Sequence, residues 1–306
     1  MPPTTCDRCA RPVYYRRAYS GESLCAACFS ESIEEKVRRT ISKHSMLRHG
    51  ERIGVAVSGG KDSLSLLNIL SKVAGGHGSE LVAITIDEGI EGYREESIGN
   101  VRAVAGRLGV DLKVFGYKEL FGFTQDDAMR RRSTKISSCA MCGTFRRRAI
   151  DVAVARTGVD VLATAHNLDD MVQTFMINLM NGDLKRIGWL GGVAEGSAFR
   201  TRRIHPFMEV YEKEAGLYAF ANGIPLQSVH CPYMDEGIRS SIRVFLNGME
   251  EAHPGVKQVL LKSALELSDR ARVPMKARKC SACGLPSSRE LCGACSISGL
   301  LKATTV

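Results

Sequence analysis

The chain has 306 residues, 44% of them apolar, with 42 basic and 33 acidic residues and a net charge of +9. That length suits one large α/β domain with small appendages or two modest domains, and no apolar run is long enough to span a bilayer. Met1-Pro2-Pro3-Thr4-Thr5-Cys6 has no basic segment leading into an apolar one, so the expectation is a soluble cytoplasmic chain without a secretory leader.

Residues 1–30 are rich in Cys and poor in long apolar runs, and residues 31–48 follow as a charged helix with Ile33, Val37, Ile41 and Met46 as its apolar stripe. Strands are predicted over Arg52–Val57, Leu81–Asp87, Asp111–Gly116 and Val159–Thr164, and helices over Asp62–Val73, Arg94–Leu108, Thr144–Arg156 and Leu168–Met180. Val55-Ala56-Val57 and Leu81-Val82-Ala83-Ile84 are apolar on both faces, which implies a parallel sheet covered on both sides, hence a doubly wound α/β fold. Beyond residue 185 come a Gly-rich loop over Gly188–Gly196 and helices over Glu209–Asn222, Ile238–Glu251 and Gly255–Ala271. From Lys279 the chain is again Cys-rich.

The eleven cysteines divide into two groups of four flanking a group of three. In a reducing compartment such clusters bind metal or do chemistry more often than they form disulfides. Cys6-x2-Cys9 with Cys25-x2-Cys28, and Cys280-x2-Cys283 with Cys292-x2-Cys295, each aim two pairs of thiolates at one ion, so each predicts a closed structural Zn2+ site. Redox or iron chemistry is the alternative at both. The central Cys139, Cys142 and Cys231 are one thiolate short of a closed zinc site. They suit an iron–sulfur cluster with one iron open, a persulfide and disulfide pair, or a third zinc completed by His230 or His166.

Strand Arg52–Val57 runs into Ser58-Gly59-Gly60-Lys61-Asp62-Ser63, which opens a helix. Glycines let backbone amides curl around an anion, the helix N-terminus adds its dipole, and Ser58, Ser63 and Lys61 add donors and charge. A plain Gly turn is the bland alternative, and the string does not fit a Walker A loop. SGGKDS closely resembles the PP-loop of the ATP pyrophosphatase superfamily, whose members cleave ATP between the α and β phosphates and adenylate a carbonyl oxygen. That resemblance implies ATP at the carboxyl ends of the strands, with Ile86 and Asp87 near the adenine and ribose and Ala165-His166-Asn167-Leu168-Asp169-Asp170 lining the site. Asp169 and Asp170 could hold Mg2+ or position a phosphate contact. Asp169 reads equally as a helix N-terminal acid, and His166 equally as a structural residue.

The positive charge points to nucleic acid as partner, because cationic surfaces release its counterions; a merely soluble basic protein is the plainer reading. Arg130, Arg131 and Arg132 precede the central Cys pair and Arg146, Arg147 and Arg148 follow it. Such runs are usually solvated faces. Here they bracket the candidate site, so Arg146 is assigned to ATP and the others to RNA phosphates, with Arg200, Arg202, Arg203, Arg239 and Arg243 extending the surface. At 6% aromatic residues, base stacking is a smaller contribution than RNA shape and phosphates.

The order of CxxC pairs, SGGKDS, Asp87-Glu88-Gly89-Ile90-Glu91-Gly92-Tyr93-Arg94, Cys139-x2-Cys142 with Phe145-Arg146-Arg147, His166-Asn167-Leu168-Asp169-Asp170, Cys231-Pro232-Tyr233 and the last CxxC pairs resembles the tRNA 2-thiouridine synthetase family over nearly the whole chain. The type is that of archaea, thermophilic bacteria and the eukaryotic cytosol. Terminal fingers separate it from the related 2-thiocytidine synthetases. Some members close the first finger with a His, where this chain has Cys28. The resemblance implies that ATP with Mg2+ sits on residues 58–63, that Lys61 and Asp62 are catalytic, and that a tRNA uridine C2 oxygen is adenylated and then displaced by sulfide. It also implies a 4Fe–4S cluster on Cys139, Cys142 and Cys231 holding that sulfide, a ubiquitin-like sulfur carrier with a C-terminal thiocarboxylate, and a homodimer. The expected division is a zinc finger over 1–30, a linking helix over 31–50, the PP-loop domain over 51–235, a helical extension over 236–277 and a zinc finger over 278–306. Two rivals are another PP-loop ligase, forming an amide or lysidine, and a non-catalytic zinc RNA-binding adaptor. The three central cysteines argue against the first, and the intact SGGKDS against the second.

Overall fold

The structure, a computed structural model, describes residues 4–131, 136–191, 201–234, 237–272 and 278–303. Arg132, Arg200 and residues 192–196 of the expected Gly-rich loop lie outside them.

The chain opens with the antiparallel hairpin β1 (Tyr15–Arg16) and β2 (Ser23–Leu24), then α1 (Ala26–Lys43). Cys25 is the N-cap of α1, so the first metal-type motif and the helix are continuous. The core alternates β3 (Arg52–Ala56), α2 (Lys61–His77), β4 (Glu80–Asp87), α3 (Arg94–Leu108) and β5 (Asp111–Gly116). Two short helices, α4 (Tyr117–Phe121) and α5 (Gln125–Arg130), precede α6 (Ser138–Thr157) and β6 (Val161–Ala163). Then come α7 (Leu168–Met180), α8 (Leu184–Ile187), β7 (Arg202–Ile204), α9 (Glu212–Ala221), α10 (Gly237–Ala252) and α11 (Val256–Arg270). A second antiparallel hairpin, β8 (Arg278–Lys279) and β9 (Pro286–Ser287), leads into α12 (Gly293–Ala303).

The main sheet has five strands in the order β5-β4-β3-β6-β7, and every pairing is parallel. The order reverses between β3 and β6, so the loop after β3 lies at the topological switch point, where open α/β sheets bind ligands. Side chains alternate between two cores with period two. On β4, Val82, Ile84 and Ile86 join one core with Met141, Phe145, Ala149 and the C-terminal Cys280 and Cys292, whereas Ala83 joins the other with α2, α3, α7 and α9. Cys6, Leu24, Cys25, Cys28 and Phe29 belong to that second core. The Cys-rich ends are therefore packed into opposite faces of the α/β layer, and the expected doubly wound parallel fold is present.

α6 begins six residues before its expected start. Ser137 caps it, its hydroxyl accepting from Ala140 N at 3.3 Å, and buried Met141 extends the apolar stripe of Phe145, Ala149 and Ala153 back through the Cys motif. Cys139 and Cys142 thus lie on the first turns of a helix rather than ahead of it.

The N-terminal hairpin is clamped to α9 through a buried carboxylate. Glu214, wholly buried, lies 2.6 Å from Arg17 Nε and 2.9 Å from Lys36 Nζ, and accepts from Tyr19 Oη at 2.7 Å. Removing one partner of a buried pair strands the others, at a cost of about 3–5 kcal/mol. Glu214→Gln should therefore lower the melting temperature clearly, and an unchanged midpoint would show that the clamp contributes nothing. Burial alone would raise the Glu214 pKa, but Lys36 and Arg17 outweigh it and hold it below the ordinary glutamate value. A depressed folded-state pKa means that the wild-type contribution is complete above the unfolded glutamate pKa, about 4.3, and is lost as pH falls through the lower folded value. Acid titration of the melting midpoint should show this slope in the wild type and not in the variant.

Candidate active site

The loop after β3 is shaped by one backbone constraint. Gly59 has φ +91°, and a Cβ there would lie 2.4 Å from Ser97 O. Only glycine lets the chain turn this close to α3. Ser63 Oγ donates to Gly60 O at 3.0 Å and accepts from Ser58 N at 3.1 Å, closing the loop on itself. Gly60 caps α2 without any side-chain hydrogen bond, leaving the first-turn amides of α2 for an anion. Lys61 Nζ lies 2.9 Å from Asp62 and 3.4 Å from Glu212 on α9, with its stem against Gly216. Burial opposes its charge, but these carboxylates hold its pKa above the ordinary lysine value. Asp62 is raised first by burial; Lys61 opposes this, and Asp170 adds like charge. Asp62 and Asp170 thus lie close together beside the start of α2.

At the end of β6, Asn167 and Asp170 form a capping box on α7. Asp169 is turned inward: one oxygen meets the Lys257 ammonium and the other accepts from Glu212 N at 2.7 Å. It braces α11 and α9 against α7, whereas Asp170 lies near enough to Asp62 at the start of α2 for their charges to interact. Thr164 Oγ1 lies 2.9 Å from His166 Nδ1 and 2.6 Å from His205 Nδ1, joining the ends of β6 and β7. Burial, then His166 and Arg203, pulls His205 down to about 3, so it is neutral at physiological pH. Ile86 O accepts from Arg94, and Ala165 is partly buried on the opposite side of β3.

The central thiols line one cavity of about 210 Å³ with Ile90, Tyr93, Arg146 and Tyr233. Cys139 and Cys142 share a face of α6, three residues apart, and Cys231 approaches from the segment after α9. That segment is held by Glu96, which accepts from Ser228 N at 2.9 Å and Val229 N at 3.1 Å, while Ser138 Oγ donates to Tyr233 O at 2.7 Å. Arg146 Nη2 reaches Cys142 Sγ at 3.4 Å, and Tyr117 Oη donates to Cys142 O at 2.8 Å.

Among the described residues, only the two terminal sets bring at least three donor atoms of His, Cys, Asp or Glu within 4.8 Å of one another. Sγ separations of 3.5 Å for Cys9–Cys25 and Cys9–Cys28, and 4.0 Å for Cys283–Cys292, are near the roughly 3.8 Å edge of a tetrahedral zinc–thiolate site. Hydrogen bonds from the backbone and side chain of Arg11 pull the Cys9 thiol down to about 6, and backbone amides do the same for Cys280. These donor sets fit zinc. The central three stand wider apart, and neither His230 nor His166 joins them to complete a zinc tetrahedron. Their open arrangement fits a larger group with three protein thiolates.

Of the arginines assigned to RNA, Arg147 and Arg243 are exposed, Arg148 is buried against Pro286 O, Arg202 pairs with Glu51 and Arg203 with Asp151. Although Arg147 is solvent-exposed, desolvation by the groups packed beside it lowers its pKa first, and the like charges of Arg186 and Arg203 lower it further, so these three cations lie near one another. Arg239 spans Gln173 and Thr174 on α7.

Residues 30–244 match the family described as a PP-loop domain. The cytoplasmic tRNA 2-thiolation protein 1 of Chlamydomonas reinhardtii is 36% identical over 96% of this chain and 84% of its own. That of Xenopus laevis is 33% identical over 96% and 87%. The chain belongs to the cytoplasmic tRNA 2-thiolation protein 1 family of PP-loop proteins. Among solved structures, the U34-tRNA thiolase NcsA of Methanococcus maripaludis, with its 4Fe–4S cluster, superposes with a TM-score of 0.85 at 29% identity, over 98% of this chain and 97% of that one.

In this PP-loop chain three residues without a role assigned from the sequence hold the site together: Glu88, Arg94 and His205. Glu88 and Arg94 were visible only as members of a motif string; their buried pairing, at 2.7 Å, is a property of the fold. His205 carried no signal, because its partner Thr164 is 41 positions away.

Proposed function

We propose that this chain is an ATP-dependent tRNA sulfurtransferase that converts a uridine to 2-thiouridine. The observation that carries the reading is an anion-cradling PP-loop joined, through the side chains of Arg94, Glu88 and Arg146, to a cavity lined by three thiols. The names of the relatives, and the U34-tRNA thiolase with a 4Fe–4S cluster, support it.

In this reading the amides at the start of α2, with Ser58, Gly59, Gly60, Lys61 and Ser63, take the phosphates of ATP, and Ile86 and Ala165 border the nucleoside. Asp62 and Asp170 hold Mg2+, which prefers one or two carboxylates together with phosphate oxygens. The uridine O2 attacks the α-phosphorus and pyrophosphate leaves. Lys61 stabilises the charge that develops on the phosphate oxygens. Sulfide sulfur then attacks C2, the C2–O bond breaks, and AMP leaves with the oxygen. Cys139, Cys142 and Cys231 would hold a 4Fe–4S cluster, which supplies an iron open to exogenous sulfide. Arg146 donates to a sulfur of that set and is tied to Glu88.

Both terminal Cys sets are structural Zn2+ fingers in this proposal, closing the chain at 1–30 and 278–306. Arg147, Arg186, Arg203 and Arg243 offer phosphate contacts to tRNA. The sulfur source is a ubiquitin-like carrier ending in a thiocarboxylate, the working assembly is a homodimer, and the compartment is the cytoplasm. Among the described residues no helix is long and apolar enough to cross a membrane. Exchange of labelled pyrophosphate into ATP tests the first half-reaction. It should depend on unmodified tRNA, and a protein that shows neither exchange nor ATP binding would refute the reading.

A further inference from the structure

A chain of buried charge joins the two halves of the site. Glu88, at the end of β4, is 2% exposed. One carboxylate oxygen lies 2.7 Å from Arg94 Nε, and the other accepts from Arg146 Nε at 2.6 Å. Arg94, itself 4% exposed, donates to Ser58 O at 2.8 Å and also to Ile86 O. Arg146 donates to Cys142 Sγ at 3.4 Å. The first carbonyl of the PP-loop and a thiol of the central cavity are thus linked through three side chains in direct contact.

Glu88 is also fixed from behind. Its carbonyl accepts from Gln125 N at 2.7 Å, and the following Gly89, at φ +64°, sits where a Cβ would lie 2.6 Å from Thr124 Cγ2. Breaking one partner away from a buried ion pair is costly, so Glu88 cannot follow one arginine and abandon the other without a large penalty. The contacts offer one route by which a displacement of Ser58 O would reach the guanidinium at Cys142: through Arg94 and then Glu88.

We propose that Glu88 is a positioning residue that couples occupancy of the nucleotide loop to the state of the thiol cavity. The proposal rests on the nucleotide reading given above. Coupling between two sites is reciprocal, so ligation at the thiols must alter nucleotide affinity by the same factor.

The test uses the full chain with zinc in its terminal sets and a non-hydrolysable ATP analogue. The rate of Cys142 alkylation by iodoacetamide, resolved by peptide mass spectrometry, is measured with and without the analogue. In the wild type the analogue should change that rate by roughly fivefold or more. In Glu88→Gln the analogue should still bind but leave the rate within about twofold, below the usual range of site coupling. Glu88→Asp, which keeps the charge on a shorter stem, should recover part of the response and guards against a glutamine variant that fails to fold. A wild-type rate indifferent to bound analogue, or a response preserved in Glu88→Gln, would overturn the coupling; preservation would mean simple occlusion. Failure of the analogue to bind the wild type at all would overturn the nucleotide reading and the coupling with it.

Discussion

Lys61→Ala is expected to lower tRNA-dependent pyrophosphate exchange by a factor of about 10²–10³ while moving the melting temperature little. Lys61 is half-buried, and its contacts are the carboxylates of Asp62 and Glu212 and the stem packing on Gly216. Its loss removes no core side chain, and Asp62 can protonate once its cation is gone, because burial already raises its pKa. What is lost is a cation placed beside amides left free at the start of α2, and its value is greatest where phosphate charge develops. The effect should fall on turnover more than on apparent nucleotide affinity. Lys61→Arg should not restore activity, because a planar fork does not replace an ammonium against the glycine at 216. Exchange at the wild-type rate in Lys61→Ala would place the phosphates elsewhere.

Cys231→Ser is expected to show the converse. Adenylation, read as tRNA-dependent pyrophosphate exchange, should survive within a few fold, whereas sulfur incorporation should fall below detection, a loss of at least ~10³, the scale of removing a chemically essential group. Cys231 lies in the thiol cavity but belongs neither to the PP-loop nor to α6. The strap that carries it is held by Glu96 and Tyr93 independently of its own thiol. Iron and acid-labile sulfide, measured on anaerobically purified protein, should reach about four irons per chain in the wild type and be lost in the variant. Zinc alone in the wild type, with the variant still stable, would contradict the cluster reading.

Much of the architecture was legible because local signals agreed. α3, β5 and α7 span the residues expected of them, each with boundaries written in the chain: Gly109 in the left-handed region after α3, and the Asn167–Asp170 capping box before α7. α6 was misplaced at its start because Gly143 and the two cysteines look like a loop. The competing signals were the Ser137 cap and the Met141–Phe145 pair on one helix face. β7 was not foreseen, since Arg202-Arg203-Ile204 has no strand pattern; its pairing with β6 across 41 positions creates it. α12 was likewise unseen, being stabilised by Ile297 and Leu301 against the α6 side of the sheet. The same division holds in the site. The PP-loop and the metal-type cysteines are short spacings and could be read directly. The inward turn of Asp169 onto Lys257, 88 positions away, and the linkage of Arg94 and Arg146 through Glu88 arise only from the tertiary fold.

The most direct measurement is nucleoside analysis by mass spectrometry of unmodified tRNA incubated anaerobically with the purified chain, ATP, Mg2+ and sulfide. Formation of 2-thiouridine, with one AMP and one pyrophosphate released per sulfur incorporated, is the predicted result. ATP consumption that yields an amidated or lysine-bearing nucleoside, or no change in the tRNA, would contradict it.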